Sequence, residues 1–185
     1  VVFGRAAAHR AVETVQAGGT TRSAPQAATD KALERFDRMR HADGNVPAAQ
    51  IRHDMQQVMQ RHAAVFRSSA SLTEGVANMD NVASQMGQIG VKDKSLIWNT
   101  DLIEAMELEN LVGQALVTIR SADQRAESRG AHAHEDWPER DDENWMKHTV
   151  MWLDEQNRST VGYRSVAMNT LSNDVAPIPP APRVY

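Results

Sequence analysis

Three stretches of this chain repeat their apolar residues every three or four positions, and that period confines the fold to packed helices. Between residues 47 and 66, Ile51, Met55, Val58, Met59, His62, Val65 and Phe66 form one stripe along a single helical face. A second stripe holds Leu72, Val76, Met79, Val82, Met86 and Ile89, opened by Ser71 and Glu74 in capping-box spacing and weakened at its end by Gly87 and Gly90. Asn99 and Asp101 offer caps for a third long helix reaching about residue 124. There Leu102, Ile103, Met106, Leu108, Leu111, Val112, Leu116 and Ile119 cover more than one stripe, so this helix is expected to be the most buried. Long amphipathic helices with short connections hide their stripes on one another. The predicted fold class is therefore mainly α: an antiparallel three-helix bundle with a short C-terminal β-hairpin and an extended, Pro-rich tail.

The flanks supply the rest of that description. Residues 1–14 read as helix, yet no Ser, Thr, Asp or Asn precedes them to satisfy the first N–H groups. The expectation is a helix that continues from residues ahead of Val1, which makes the chain a C-terminal fragment. A Gly-, Ser- and Thr-rich break at 17–25 precedes a short helix with Ala32, Leu33, Phe36 and Met39 on one face. Asp43-Gly-Asn-Val-Pro47 closes it and places Pro47 in the first turn of the next helix. Beyond Arg125 the helical period stops. Residues 148–153 and 160–166 are rich in β-branched and aromatic side chains around a polar 154–159 turn, the pattern of a hairpin. Residues 176–185 are Pro-rich and expected to be extended. Three divisions result: 1–24, a helix and linker; 25–126, the bundle; and 127–185, loop, hairpin and tail.

Charge and composition narrow the function classes. A net charge of -4 is unlike the basic stripe of a phosphate-backbone binder, so no nucleic-acid partner is expected. No apolar run approaches the roughly 20 residues that span a bilayer. Without cysteine there is no disulfide and no thiolate metal site. Residues 125–149 crowd Arg, His, Glu, Asp and Trp where an ordinary loop carries Ser, Gly and Asn. His132 and His134 share a face in extended chain, but the sequence fixes no further metal ligands. Hydrogen bonding and charge pairing in an interface is the better use. Glu104 and Glu107 lack the Glu-x-x-His pairs of a di-iron bundle. His62 reads as a hydrogen-bonded core histidine, and the methionines as core filler. No phosphate loop, nucleophile elbow or other catalytic set assembles.

Five motifs carry a resemblance. Val1-Val-Phe-Gly-Arg-Ala-Ala, Ser95-Leu-Ile-Trp-Asn-Thr-Asp-Leu-Ile-Glu-Ala-Met-Glu-Leu-Glu-Asn-Leu111, Glu127-Ser-Arg-Gly-Ala-His132, Asp141-Asp-Glu-Asn-Trp-Met-Lys-His-Thr149 and the closing Arg-Val-Tyr185 resemble the C-terminal part of the succinate dehydrogenase flavoprotein subunit family. The resemblance implies a parent that carries covalently bound FAD, oxidises succinate to fumarate, and passes electrons through an iron–sulfur subunit to quinone at membrane-anchor subunits. It implies a peripheral location, on the cytoplasmic face of a bacterial inner membrane or the mitochondrial matrix face. In that family the flavin-linking histidine, the dinucleotide fingerprint, the proton-relay arginine and the substrate-binding residues precede the Val-Val-Phe-Gly-Arg motif. No catalytic, cofactor or metal residue is therefore carried onto this chain. What remains is a candidate interface with the flavin domain: Glu127, Arg129, His132, Asp142, Trp145 and His148, with Arg129 as main anchor. A fumarate reductase fragment and a stand-alone helical interaction module are the alternative readings.

Overall fold

A computed structural model describes residues 1–15, 17–20, 23–170 and 174–181. Their regular structure is six α-helices, one 3-10 turn at Met86–Gln88 and three two-stranded sheets. The chain divides into two compact units, Val1–Arg38 and Met39–Tyr185. The first contains α1 (Val2–Thr14) and most of α2 (Gln26–Arg40). No residue of α1 is buried, and its N-cap, Val1, makes no side-chain capping bond.

The second unit is built on α3 (Ala48–His62), α4 (Ser69–Gln85) and α5 (Thr100–Asp123), each packed on the other two. Ile51, Leu72, Met79, Leu108, Leu116 and Ile119 are its largest fully buried apolar side chains. The helices approach closely at Gly75, where a Cβ would collide with the His62 side chain and Ile119 Cδ1. His62 is buried there, with Asn78 Nδ2 donating to its Nε2 at 3.3 Å and Ser71 Oγ 3.3 Å from its Nδ1. This is the core histidine expected from its place on the stripe. As expected too, α5 buries more residues than any other helix, although Ile103 and Leu111 face solvent.

Three boundaries differ from the sequence reading. The first stripe continues in sequence through Val65 and Phe66, but α3 ends at His62, and Phe66 is 74% exposed. Phe66 belongs instead to β2 (Phe66–Arg67), which pairs in parallel with β4 (Ala133–His134). The N-cap of α4 is Ser68, whose hydroxyl accepts from Ser71 N at 3.3 Å, so Ser71 sits in the first turn. Asp136 adds a second cap by accepting from Ser69 N at 2.8 Å. Asn99 caps α5 as expected, accepting from Leu102 N at 2.8 Å. Pro47 is the N-cap of α3 rather than a first-turn residue, and it ends β1 (Val46–Pro47), which runs parallel to β3 (Ile89–Gly90).

The hairpin forms from β5 (Lys147–Leu153) and β6 (Ser159–Ser165), in register from Lys147↔Ser165 to Leu153↔Ser159. Its turn is organised by Asp154, whose Oδ1 accepts from the backbone N–H groups of Gln156 and Arg158. β5 packs on α5, and Arg120 ties the layers by donating to Asn157 O at 2.6 Å and Asp80 Oδ1 at 2.5 Å. Residues 174–181 have no helix or strand, and the Arg-Val-Tyr ending lies outside the described residues. Among the described residues, no helix is long and apolar enough to cross a membrane.

Candidate functional site

The charged segment after α5 closes around one carboxylate. Glu127 has no exposed surface, and a buried carboxylate needs cations and donors to remain ionised. Its Oε1 accepts from Arg125 Nε and Arg129 Nε, both at 2.8 Å. Its Oε2 accepts from Arg129 Nη2 at 3.0 Å and from the Asp141 backbone N–H at 2.9 Å. Burial works against the charge, but the bonds from Arg129, Asp141 N–H and Arg125 outweigh it and hold the Glu127 carboxyl below the usual range.

Each guanidinium then reaches onward. Arg125 donates to the carbonyls of Trp145 (2.6 Å) and Lys147 (3.0 Å) and to Thr149 Oγ1 (3.1 Å), and it lies 5.3 Å from the centre of the Trp145 ring. Arg129 also donates to Asp142 Oδ1 at 2.7 Å, and Arg140 grips Asp142 with two bonds of 2.9 and 2.8 Å. Asp141 caps α6 (Asp142–Trp145), accepting from Glu143 N and Asn144 N. The backbone turns back on itself through paired bonds between Arg129 and His132, with Gly130 at φ 59°.

His132 links this cluster to α3. Arg67 holds the end of α3 by donating to Ala63 O and Ala64 O, and its Nη1 lies 2.9 Å from His132 Nδ1. A guanidinium only donates, so Nδ1 accepts and Nε2 carries the hydrogen given to Arg125 O at 3.0 Å. Burial lowers the His132 pKa, and the nearby Arg67 charge lowers it further, so the ring is held neutral. The His134 ring meets it edge-on at 5.7 Å, and buried His134 Nδ1 has no hydrogen-bond partner among the described residues.

Of the six residues singled out in the sequence, Glu127, Arg129 and Asp142 meet in one ion cluster. Trp145 and His132 join it through Arg125. His148 makes none of these contacts and stands exposed on the rim of a concavity of about 680 Å³. The centre of the cluster is Glu127, whereas Arg129, expected as the anchor, has a second acid within this chain. Arg67, Arg125 and Arg140 were missed. The alternation Arg125-x-Glu127-x-Arg129 was the available signal for Arg125, while Arg67 carries no local signal.

The concavity is lined by Arg67, Arg125, Arg129 and Lys147 together with Trp145 and Met146, and no Asp or Glu among the described residues lines it. Elsewhere, a Cβ at Gly44 would collide with Gln88 and Ile89 backbone, and one at Gly90 with Gly44 backbone. Together with Gly75, these close glycine approaches are filled by the chain's own atoms.

Residues 52–185 match the family model described as the fumarate reductase flavoprotein C-terminus. The whole chain aligns at 48% identity with a succinate dehydrogenase flavoprotein subunit of Rickettsia conorii, and at 46% with the mitochondrial one of Oryza sativa. It spans 31% and 29% of the lengths of those relatives. Among solved structures, an E. coli quinol fumarate reductase superposes with a TM-score of 0.83 at 30% identity, over 93% of this chain and 30% of that one.

Proposed function

The chain belongs to the fumarate reductase and succinate dehydrogenase flavoprotein C-terminal family, and from that premise we propose that it works as the C-terminal part of a succinate dehydrogenase flavoprotein subunit. In this reading the parent oxidises succinate to fumarate, FAD takes the electrons, and an iron–sulfur subunit passes them toward quinone. Membrane-anchor subunits hold the complex at a bacterial inner membrane or the matrix face of a mitochondrion. The part contributed by these residues is structural. Helices α3, α4 and α5 act as an antiparallel three-helix bundle, followed by the hairpin and an extended tail. Residues 127–148 form a clamp facing the flavin domain, with Glu127, Arg129, Asp142 and Trp145 building it and His132 and His148 at its edges.

The observation that carries this reading is the commitment of the Glu127 cluster to internal bonds. A carboxylate with no exposed surface and arginines at 2.8 Å on one oxygen are held charged and fixed, which suits a scaffold. The described residues supply no cradle for FAD. A dinucleotide pyrophosphate needs an open glycine turn at a helix start. Gly44, Gly75 and Gly90 are closed by the chain itself, Gly4, Gly87 and Gly113 lie inside helices, and the open turn glycines Gly18 and Gly130 lead directly into none. FAD is accordingly assigned to the part of the parent preceding the Val1 motif. Higher identity to the succinate dehydrogenase relatives than to the fumarate reductase structure favours succinate oxidation. Fumarate reduction is the second reading, supported by the superposition on that reductase.

Purifying the chain alone and within its full-length parent tests the proposal. The parent is expected to be yellow and to reduce an artificial acceptor with succinate, while the isolated chain is colourless and inactive. Arg129→Ala in the parent should lower flavin retention. Covalent flavin on the isolated chain, or a parent without succinate-dependent activity, would overturn the assignment.

A further inference from the structure

We infer that the cationic concavity receives a carboxylate-bearing segment of the parent polypeptide outside this chain, with Lys147 as the receiving cation. The inference rests on the family reading above and adds the chemistry of the contact. Four cations wall the concavity and, among the described residues, no acid lines it. Behind the wall, Glu127 is shared by Arg125 and Arg129, and Asp142 by Arg129 and Arg140. Those carboxylates engage Arg125, Arg129 and Arg140, while Arg67 and Lys147 make no ion pair among the described residues, so the lining of the concavity stays positive.

Lys147 is the member with donors to offer. Arg67 and Arg125 direct theirs to carbonyls, to His132, to Thr149 and to Glu127. Lys147 Nζ has no carboxylate within ion-pair distance among the described residues. It rests instead 5.0 Å from the Trp145 ring centre and 4.1 Å from that of Tyr163, two rings set at 73°. Ring faces position an ammonium without accepting its hydrogens in the way a carboxylate does, so its three N–H groups remain available to an anion. Because the side chain is already ordered, a partner binds without the full entropic cost of fixing it.

The size of the site points to a chain segment rather than a small ion. A space of about 680 Å³ whose lining also includes Val166 and Met168 would stay mostly wet around one small anion. The relatives are about three times as long as this chain, and a segment of the same polypeptide arrives at high effective concentration.

Carbodiimide treatment of the full-length parent, followed by peptide mapping, tests this. The reagent joins an amine to a carboxylate in direct contact as an amide, with loss of water and no spacer. Lys147 should be joined to an Asp or Glu preceding Val1, and the linked peptide should vanish in Lys147→Gln. A link from Lys147 to an acid within residues 1–185, including the terminal carboxylate, or to another subunit would overturn the inference. Persistence of the peptide in Lys147→Gln would do the same. An amine-to-amine reagent with a spacer separates the two levels. If it links Lys147 to preceding lysines while the carbodiimide does not, the interface stands and the acidic partner is wrong. If neither reagent links Lys147 to the preceding part of the parent, the interface itself is wrong.

Discussion

Glu127→Ala removes the one acceptor around which residues 125–149 are folded. The substitution deletes three arginine bonds and the bond from Asp141 N–H, and it leaves Arg125 without a carboxylate partner among the described residues. Breaking a buried ion pair from one side costs about 3–5 kcal/mol, because the remaining charge stays desolvated. At about 2–4 °C per kcal/mol for a chain of this size, the melting midpoint should fall by about 6–20 °C. Arg129→Ala should cost less, about 1.5–3 kcal/mol, since Glu127 keeps Arg125 and the Asp141 N–H. Calorimetry of the two variants gives the global effect. Amide exchange across residues 125–149 shows whether the loss is confined to the segment, which would open locally. The reasoning is refuted if Glu127→Ala melts within 2 °C of wild type, a threshold of about 1 kcal/mol or less, with protection at Arg129 and His132 unchanged. It is equally refuted if Arg129→Ala is the more damaging change.

Further outcomes follow from the same geometry. His132 has a folded pKa below its ordinary 6.5, so the unfolded chain binds the proton first as pH falls. The stability from its neutral form is complete above about pH 6.5 and lost below it. Amide exchange near β2 and β4 should therefore accelerate in that acid window, and His132→Gln should flatten the response. Gly75→Ala places a methyl against His62 and Ile119 and should destabilise by about 1–3 kcal/mol in thermal melts. Leu116→Ala, in the core, should cost about 2–5 kcal/mol, whereas Phe66→Ala, exposed on β2, should stay within about 0.5 kcal/mol by the same melts.

The helices were legible because burial on one face imposes its period directly on the sequence. Leu72, Met79, Leu108 and Ile119 show this. The end of α3 was not, since Val65 and Phe66 extend the apolar pattern after the backbone has left the helix. Whether such residues pack or stand exposed is settled by distant partners, here Ala133 and His134. Ser68 and Ser71 are chemically equivalent caps, and only the position of the chain entering α4 separates them. Within the charged segment, composition revealed that specific contacts exist. The ranking of Glu127 above Arg129 depends on burial and on Asp142 offering Arg129 a second acid. Arg67 enters the cluster from another part of the chain and has no neighbour in sequence that foreshadows it.

That long reach has a kinetic side. Arg67 and His132 are 65 positions apart, and Ser69 and Asp136 are 67. Closing loops of that size carries an entropic penalty before any contact forms, whereas each helix and the β5–β6 hairpin can organise locally. The bond between Arg67 and His132 can only register once the turn after α3 has placed the Ala63 and Ala64 carbonyls and α5 has brought residue 125 back alongside them. The charged segment is therefore expected to be the last part of its unit to be secured, and a ribosome must release the chain through Thr149 before Arg125 can find its final partner. Pulse-labelled refolding should show amides of α4 and α5 protected before those of Arg129 and His132.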